Sequence, residues 1–169
     1  MCYLAGQLVA VLITLAAADL GLTLSTCDAL AAMAECEHVC PHLHLPLQSA
    51  SDAVLERMRR GYTLAEYDTL VRKLRAAIPG LALGTDLIVG FPDETEAEYQ
   101  ATLDYVEAVR FDSAFMFKYS AREGTRSFKT PETLSEHDKV RRLERLIAEQ
   151  QARTLGIHQG LVGSVVEVL

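Results

Sequence analysis

Two short stretches, Thr63-Leu-Ala-Glu66 and Thr95-Glu-Ala-Glu98, do most to limit what this chain can become. Each is a capping box, a threonine hydroxyl that accepts an amide of the first helical turn and a glutamate that reaches back to the threonine amide. Each opens a run with apolar residues at helical spacing. The first run carries Leu64, Tyr67, Leu70, Val71, Leu74 and Ile78, and the second Tyr99, Leu103 and Val106. Around them lie three apolar runs with strand character, His42 to Leu47, Leu81 to Val89 and Phe111 to Tyr119. LALGTDLIV is nearly continuous in apolar residues, as a strand covered on both faces should be. Ser51 caps a further helix with Val54, Leu55 and Met58, which Gly61 breaks. Pro79-Gly80 stops the helix after Ile78. Ser135 caps a long last helix carrying Val140, Leu143, Ile147 and Leu155. The order β-α-β-α-β-α predicts an α/β fold with a parallel sheet and right-handed crossovers, open or closed as a barrel.

Such sheets bind ligands beyond the carboxyl ends of their strands. Three segments sit there: Gln48-Ser-Ala-Ser51, Gly90-Phe-Pro-Asp-Glu94 and Tyr119-Ser-Ala-Arg122. Gln48 donates and accepts, and Ser49 and Ser51 add hydroxyls, which suits a polar molecule with an amino acid or ribose portion. The plainer alternative makes Ser51 an N-cap and Gln48 a solvated turn residue. Gly90 admits a ligand close to the backbone and Pro92 stiffens the turn, or the segment is a simple βα turn. Arg57, Arg59 and Arg60 end the first helix, where a guanidinium can clamp a carboxylate or merely complement the helix dipole. Lys139, Arg141, Arg142 and Arg145 form a basic strip on the last helix, diluted by Glu144 and Glu149, and a solvated face is its default reading over an RNA contact. His42 and His44 share one face of a strand without a third ligand nearby, so packing or hydrogen bonding is favoured over a metal. No Ser-His-Asp set, P-loop or HExxH is present.

The 169 residues suffice for one domain with a sizeable core. A net charge of −7 argues against coating nucleic acid by bulk charge. The absence of Trp argues against a base-stacking platform. Four cysteines (Cys2, Cys27, Cys36 and Cys40) do not make a disulfide framework in a chain otherwise cytosolic in character. Cys36 and Cys40 would share a helical face, yet they form half a metal site at most. The first segment, YLAGQLVAVLITLAAADLGLTL, approaches the length of a membrane span, but Gln7, Thr14 and Asp19 interrupt it and no basic leader precedes it. A buried helix, a weak anchor and sequence foreign to the domain are its three readings.

The blocks PHLHLPLQSASDAVLERMRRGYT, GTDLIVGFPDET and FDSAFMFKYSAREGT, in this order and at these separations, resemble the radical S-adenosylmethionine methylthiotransferases. The wording HLHLPLQ and RRGYT resembles most the MiaB family, which adds a methylthio group to the N6-prenylated adenosine beside the tRNA anticodon. The resemblance covers about Ala29 to the end. It implies that residues 28–160 form the C-terminal half of a radical SAM TIM-like barrel, a partial parallel (βα) barrel, and that 161–169 open a TRAM domain. It implies S-adenosylmethionine and [4Fe–4S] clusters as cofactors and tRNA as partner. It further implies a cytoplasmic setting, no membrane partner, and a monomer. Gln48, Ser49 and Ser51 would face S-adenosylmethionine. Arg60, twelve residues after Gln48, would hold the methionine carboxylate. Gly90 and Phe91 would lie against adenine and ribose.

Three departures stand out. Ala50 replaces a glycine of the family's QSGS, which strains the turn if the position needs positive φ. Asp93 replaces the glycine of GFPGET, and Asp tolerates left-handed geometry better than most residues. The cluster-binding CxxxCxxC is missing, and Cys36-Glu-His-Val-Cys40 supplies its CxxxC part only. Residues 1–27 do not resemble the family. The expectation is a truncated or frameshifted reading frame, inactive by itself and marginally stable, because a half barrel leaves a sheet edge and apolar surface uncovered. The rival expectations are a non-catalytic module that binds S-adenosylmethionine or RNA, and a membrane-tethered small α/β protein.

Overall fold

The computed structural model describes residues 40–121, 124 and 130–165. Its elements are β1 (His42–His44), α1 (Asp52–Arg57), α2 (Leu64–Ala77), β2 (Ala82–Val89), α3 (Glu96–Val109), β3 (Ser113–Lys118) and α4 (Glu136–Gly160). The strands form one parallel sheet in the order β1-β2-β3. This is the α/β architecture of a partial (βα) barrel. Both capping boxes are complete, with Thr63 and Glu66 opening α2 and Thr95 and Glu98 opening α3.

The core lies on one face of the sheet. Leu43, Leu83, Leu87 and Val89 pack there against Tyr67, Leu70 and Leu74 of α2, Tyr99, Leu103 and Val106 of α3, and Leu146 of α4. The other face is open. It carries His44, Asp86, Phe115 and Phe117, and the two phenylalanines are 64% and 53% exposed. His44 Nε2 lies 3.0 Å from Asp86 Oδ1, which gives this histidine the hydrogen-bonding role favoured for it.

The first strand is shorter than the apolar run suggests. His44 pairs with Gly84, but the next bridge joins Gln48 to Leu87. The first chain thus takes four steps while β2 takes three, a one-residue bulge around Pro46. The displaced backbone groups find side chains. Thr85 Oγ1 accepts the Leu47 amide at 3.0 Å. The Tyr67 hydroxyl donates to the Leu45 carbonyl at 2.7 Å and that of Tyr62 to the Leu47 carbonyl at 3.0 Å. Burial pushes both phenols above their ordinary pKa, which keeps them protonated as donors.

Three sequence expectations are corrected. Helix α1 does not run to Gly61. The Arg59 amide bonds Glu56 O and the Arg60 amide bonds Leu55 O, both at 2.9 Å, with Arg59 at φ 58. This is a Schellman closure with arginine where glycine is usual. Positive φ in the Gln48–Ser51 turn falls on Gln48, at φ 69, and not on Ala50, so the alanine is not strained there. Ala50 is instead buried, its amide donating to Thr102 Oγ1 at 3.1 Å. Asp93 does take positive φ, at 61.

The third correction concerns α4. Its deepest residues are Lys139, Arg142, Leu146 and Gln150, one position off the apolar series, while Leu155 is 57% exposed. The basic strip is therefore not a solvated face, since only Arg141 and Arg145 lie outward. The cations and the amide go inward because loop groups need partners. Gln150 Nε2, for example, donates to the Phe111 carbonyl at 2.8 Å. Leu161 to Gly163 form a turn after α4, and residues 166–169 of the expected next strand lie outside the described residues. So do the apolar head, Cys2, Cys27 and Cys36. Among the described residues no helix is long and apolar enough to cross a membrane.

Candidate active site

A cavity of about 1050 Å³ opens beyond the carboxyl ends of β2 and β3. The end of α1 supplies Met58, Arg59 and Arg60, β2 and its loop supply Ile88, Phe91 and Pro92, and β3 supplies Phe117, Lys118 and Tyr119. Phe91 and Tyr119 meet edge to face at 5.0 Å between ring centroids. The Schellman closure turns the chain back at Arg59, and so sets two guanidiniums against the strand tips.

The cations differ in availability. Arg57 Nη2 lies 3.0 Å from both carboxylate oxygens of Glu98. Burial pushes that carboxyl up, but Arg57 and the amide and hydroxyl of Thr95 together hold it below its ordinary pKa. Lys118 pairs with Glu136. Arg59 and Arg60 have no carboxylate partner among the described residues. Arg60 Nε and Tyr119 Oη are buried without a hydrogen-bond partner among those residues. A buried donor left unmade costs roughly 1–3 kcal/mol, so both atoms call for a partner, as do Arg142 Nε, Gln150 Oε1 and Arg153 Nη1 away from the cavity.

Of the six residues singled out from the sequence, Arg60 and Phe91 meet in this cavity. Gln48, Ser49, Ser51 and Gly90 are not among its walls. Gln48 is 6% exposed, and its backbone bridges Leu87, a residue of the helix-covered face. Ser49 is fully buried, its Oγ 3.4 Å from Thr102 Oγ1. Ser51 is the N-cap of α1 and accepts the Val54 amide. Gly90, at φ 75, donates its amide to Glu94 Oε2 at 2.7 Å.

Sequence reasoning missed the supports behind these residues. Thr102 on α3 holds the Gln48–Ser51 turn. Glu94 is buried beneath the Gly90 loop, with Arg142 Nη1 at 2.7 Å from its Oε2. Burial pushes the Glu94 carboxyl above its ordinary pKa, and Gly90 and Arg142 pull it only part of the way back. No apolar periodicity signals a buried lysine or arginine. The one available signal was the spacing of Lys139, Arg142, Leu146 and Gln150 on a single helical face.

A sequence profile of the radical SAM superfamily matches residues 5–106, more than half of the chain. The chain belongs to the radical SAM superfamily. The match begins inside the apolar head. This radical SAM chain is 49% identical, over 84% of its own length and 30% of the relative's, to the tRNA-2-methylthio-N(6)-dimethylallyladenosine synthase of Methylacidiphilum infernorum (isolate V4). The synthase of the same name from Syntrophomonas wolfei is 49% identical over 83% of this chain and 32% of that protein. The chain thus spans about a third of the length of these curated relatives. Among solved structures, the radical SAM enzyme coproporphyrinogen III oxidase (HemN) from Escherichia coli superposes with a TM-score of 0.64 at 22% identity, covering 80% of this chain and 31% of that one. That likeness speaks for the fold.

Radical SAM membership implies S-adenosylmethionine and an iron–sulfur cluster. The cavity fits the first. It has room, apolar walls from Ile88 and Phe91, two cations without carboxylates and two buried polar atoms in want of partners. The described residues do not fit the second. No group of three or more His, Cys, Asp or Glu residues among them could hold a metal, and Cys40 is their one cysteine.

Proposed function

We propose that this chain forms part of the S-adenosylmethionine pocket of a tRNA methylthiotransferase, an enzyme that methylthiolates C2 of an N6-prenylated adenosine in tRNA. The single observation that carries this reading is the meeting of Arg60 and Phe91, from separate blocks of sequence, in one cavity at the strand tips. In the whole enzyme S-adenosylmethionine supplies both the radical source and the methyl group. Here Arg60 binds the methionine carboxylate, with Nε and the terminal nitrogens as donors. Phe91 and Ile88 give the adenine an apolar seat, and Tyr119 offers its hydroxyl. Gln48, Ser49, Ser51 and Gly90 hold the backbone that shapes this seat. The names of the curated relatives support tRNA as the substrate. The same reading carries a monomeric state and a cytoplasmic place of action.

Titration of the chain with S-adenosylmethionine in a calorimeter tests the pocket. Saturable binding is expected, weakened about tenfold or more in Arg60→Ala, because charge-assisted hydrogen bonds contribute about 1.5–3 kcal/mol. Arg141→Ala, an outward residue of α4, serves as the control. No saturable binding by the wild type, or equal binding by Arg60→Ala, overturns the assignment.

A further inference from the structure

We propose that Lys139 and Arg142 of α4 are positioning residues for the cavity, holding the Gly90–Glu94 loop from behind so that Phe91 and Tyr119 form its wall. Neither cation lines the cavity. Both are buried, at 2% and 5% exposure. A buried charge is costly unless it is paired, and an apolar residue of similar volume would commonly serve stability as well. Lys139 Nζ is paired with Glu132 at 2.5 Å and lies 3.9 Å from Glu136, so its charge is met outside the loop, whereas the charge of Arg142 is met within it. What both residues share is contact with the Gly90–Glu94 loop.

Arg142 ties the loop through its carboxylate. Nη1 donates to Glu94 Oε2 at 2.7 Å and to the Glu94 carbonyl at 3.0 Å, and Nη2 reaches Glu96 Oε2 at 3.0 Å. Glu94 Oε2 also accepts the Gly90 amide. The two ends of the loop are thus joined through one carboxylate oxygen that Arg142 fixes in place.

Lys139 acts on the same loop by volume. Its stem fills the space over Gly90, where an added Cβ would lie 2.7 Å from Lys139 Cγ. Its Nζ sits 5.8 Å from the centroid of the Tyr119 ring, and that ring packs on Phe91. Loop and strand tip are therefore both referenced to α4. The sequence of a helix that does not touch the ligand sets the shape of the wall that does.

This inference rests on the proposed S-adenosylmethionine site, and two readouts keep the two apart. The first is the dissociation constant for S-adenosylmethionine of the full chain and of Lys139→Ala, Lys139→Met, Arg142→Met and Arg142→Lys. Lys139→Ala and Arg142→Met are expected to weaken binding by about tenfold. Lys139→Met keeps the stem and should stay within about twofold of wild type, while Arg142→Lys keeps the charge and should recover part of the loss. The second readout, taken without ligand, is hydrogen exchange at the Gly90 amide. It should speed up at least tenfold in Arg142→Met while the amides of α2 keep their protection, which separates a loosened loop from a loosened fold. If the wild type does not bind S-adenosylmethionine, the functional reading fails and the exchange result still decides the positioning. Unchanged Gly90 exchange in Arg142→Met overturns the inference. So does wild-type affinity in both Lys139→Ala and Arg142→Met. Should Arg142→Met fail to fold, the same two measurements on Arg142→Lys and Lys139→Ala decide it by the same criteria.

Discussion

Gly90 and Lys139 share one space: the absent side chain of the glycine is where the lysine stem lies, with a virtual Cβ 2.7 Å from Lys139 Cγ. Gly90→Ala meets that contact and the positive φ of 75 together. It should lower stability by about 1–3 kcal/mol in urea unfolding. Adding Lys139→Ala should recover the steric part and leave the backbone part. If the two single changes are simply additive, the contact does not matter.

The bulge around Pro46 is held by three side chains, and each can be tested singly. Thr85→Val keeps the shape and strands the Leu47 amide, and Tyr67→Phe strands the Leu45 carbonyl. Each should cost about 1–3 kcal/mol in the same unfolding measurement, since the groups are buried. A loss below about half a kcal/mol in both would mean that these two bonds do not hold the bulge.

Arg59 closes α1 in a conformation that L side chains disfavour. Arg59→Gly should therefore raise stability by about 1 kcal/mol, seen as a higher midpoint of denaturation. Arg59 also lines the cavity, so ligand affinity should be followed alongside. No gain in stability would place the helix stop in some other contact.

The pH dependence has a definite sign at Glu94. Its folded pKa is raised above the ordinary 4.5 by burial. Its contribution to stability is therefore complete below about 4.5 and is lost as pH rises through the higher folded value. Arg142 and the Gly90 amide face it from α4 and its own loop, and Glu98 of α3 adds a like charge. Glu66, Glu98 and Asp138, whose folded values are lowered, contribute in the opposite sense and lose stability as pH falls through those values. Glu94→Gln should remove the component of stability that falls as pH rises above the ordinary glutamate range. A pH profile of unfolding that superposes on wild type above that range would contradict the shift.

The missing CxxxCxxC leads to a chemical prediction for the polypeptide of this sequence. After anaerobic reconstitution with iron and sulfide, and with a strong reductant, it should form no 5′-deoxyadenosine from S-adenosylmethionine by chromatography. Product above the level of a protein-free control would show that other residues hold a competent cluster.

The amino-acid sequence determined the elements, their order and their sheet on its own. Thr63 with Glu66 and Thr95 with Glu98 bond within three residues, and the apolar series of α2 and α3 repeat within one turn, so these signals are complete in a short window. The three quoted blocks were likewise enough to anticipate the family to which the chain belongs. Tertiary structure decided the rest. It moved Gln48 by one residue against β2, gave the positive φ to Gln48 instead of Ala50, closed α1 at Arg59 ahead of Gly61, and turned Lys139 and Arg142 inward. The closure at Arg59 is local, but the register of Gln48 depends on Leu87 and the burial of Arg142 on Glu94 forty-eight residues earlier. A buried charge is stable only where such a partner waits, and a local pattern of residues carries no record of it.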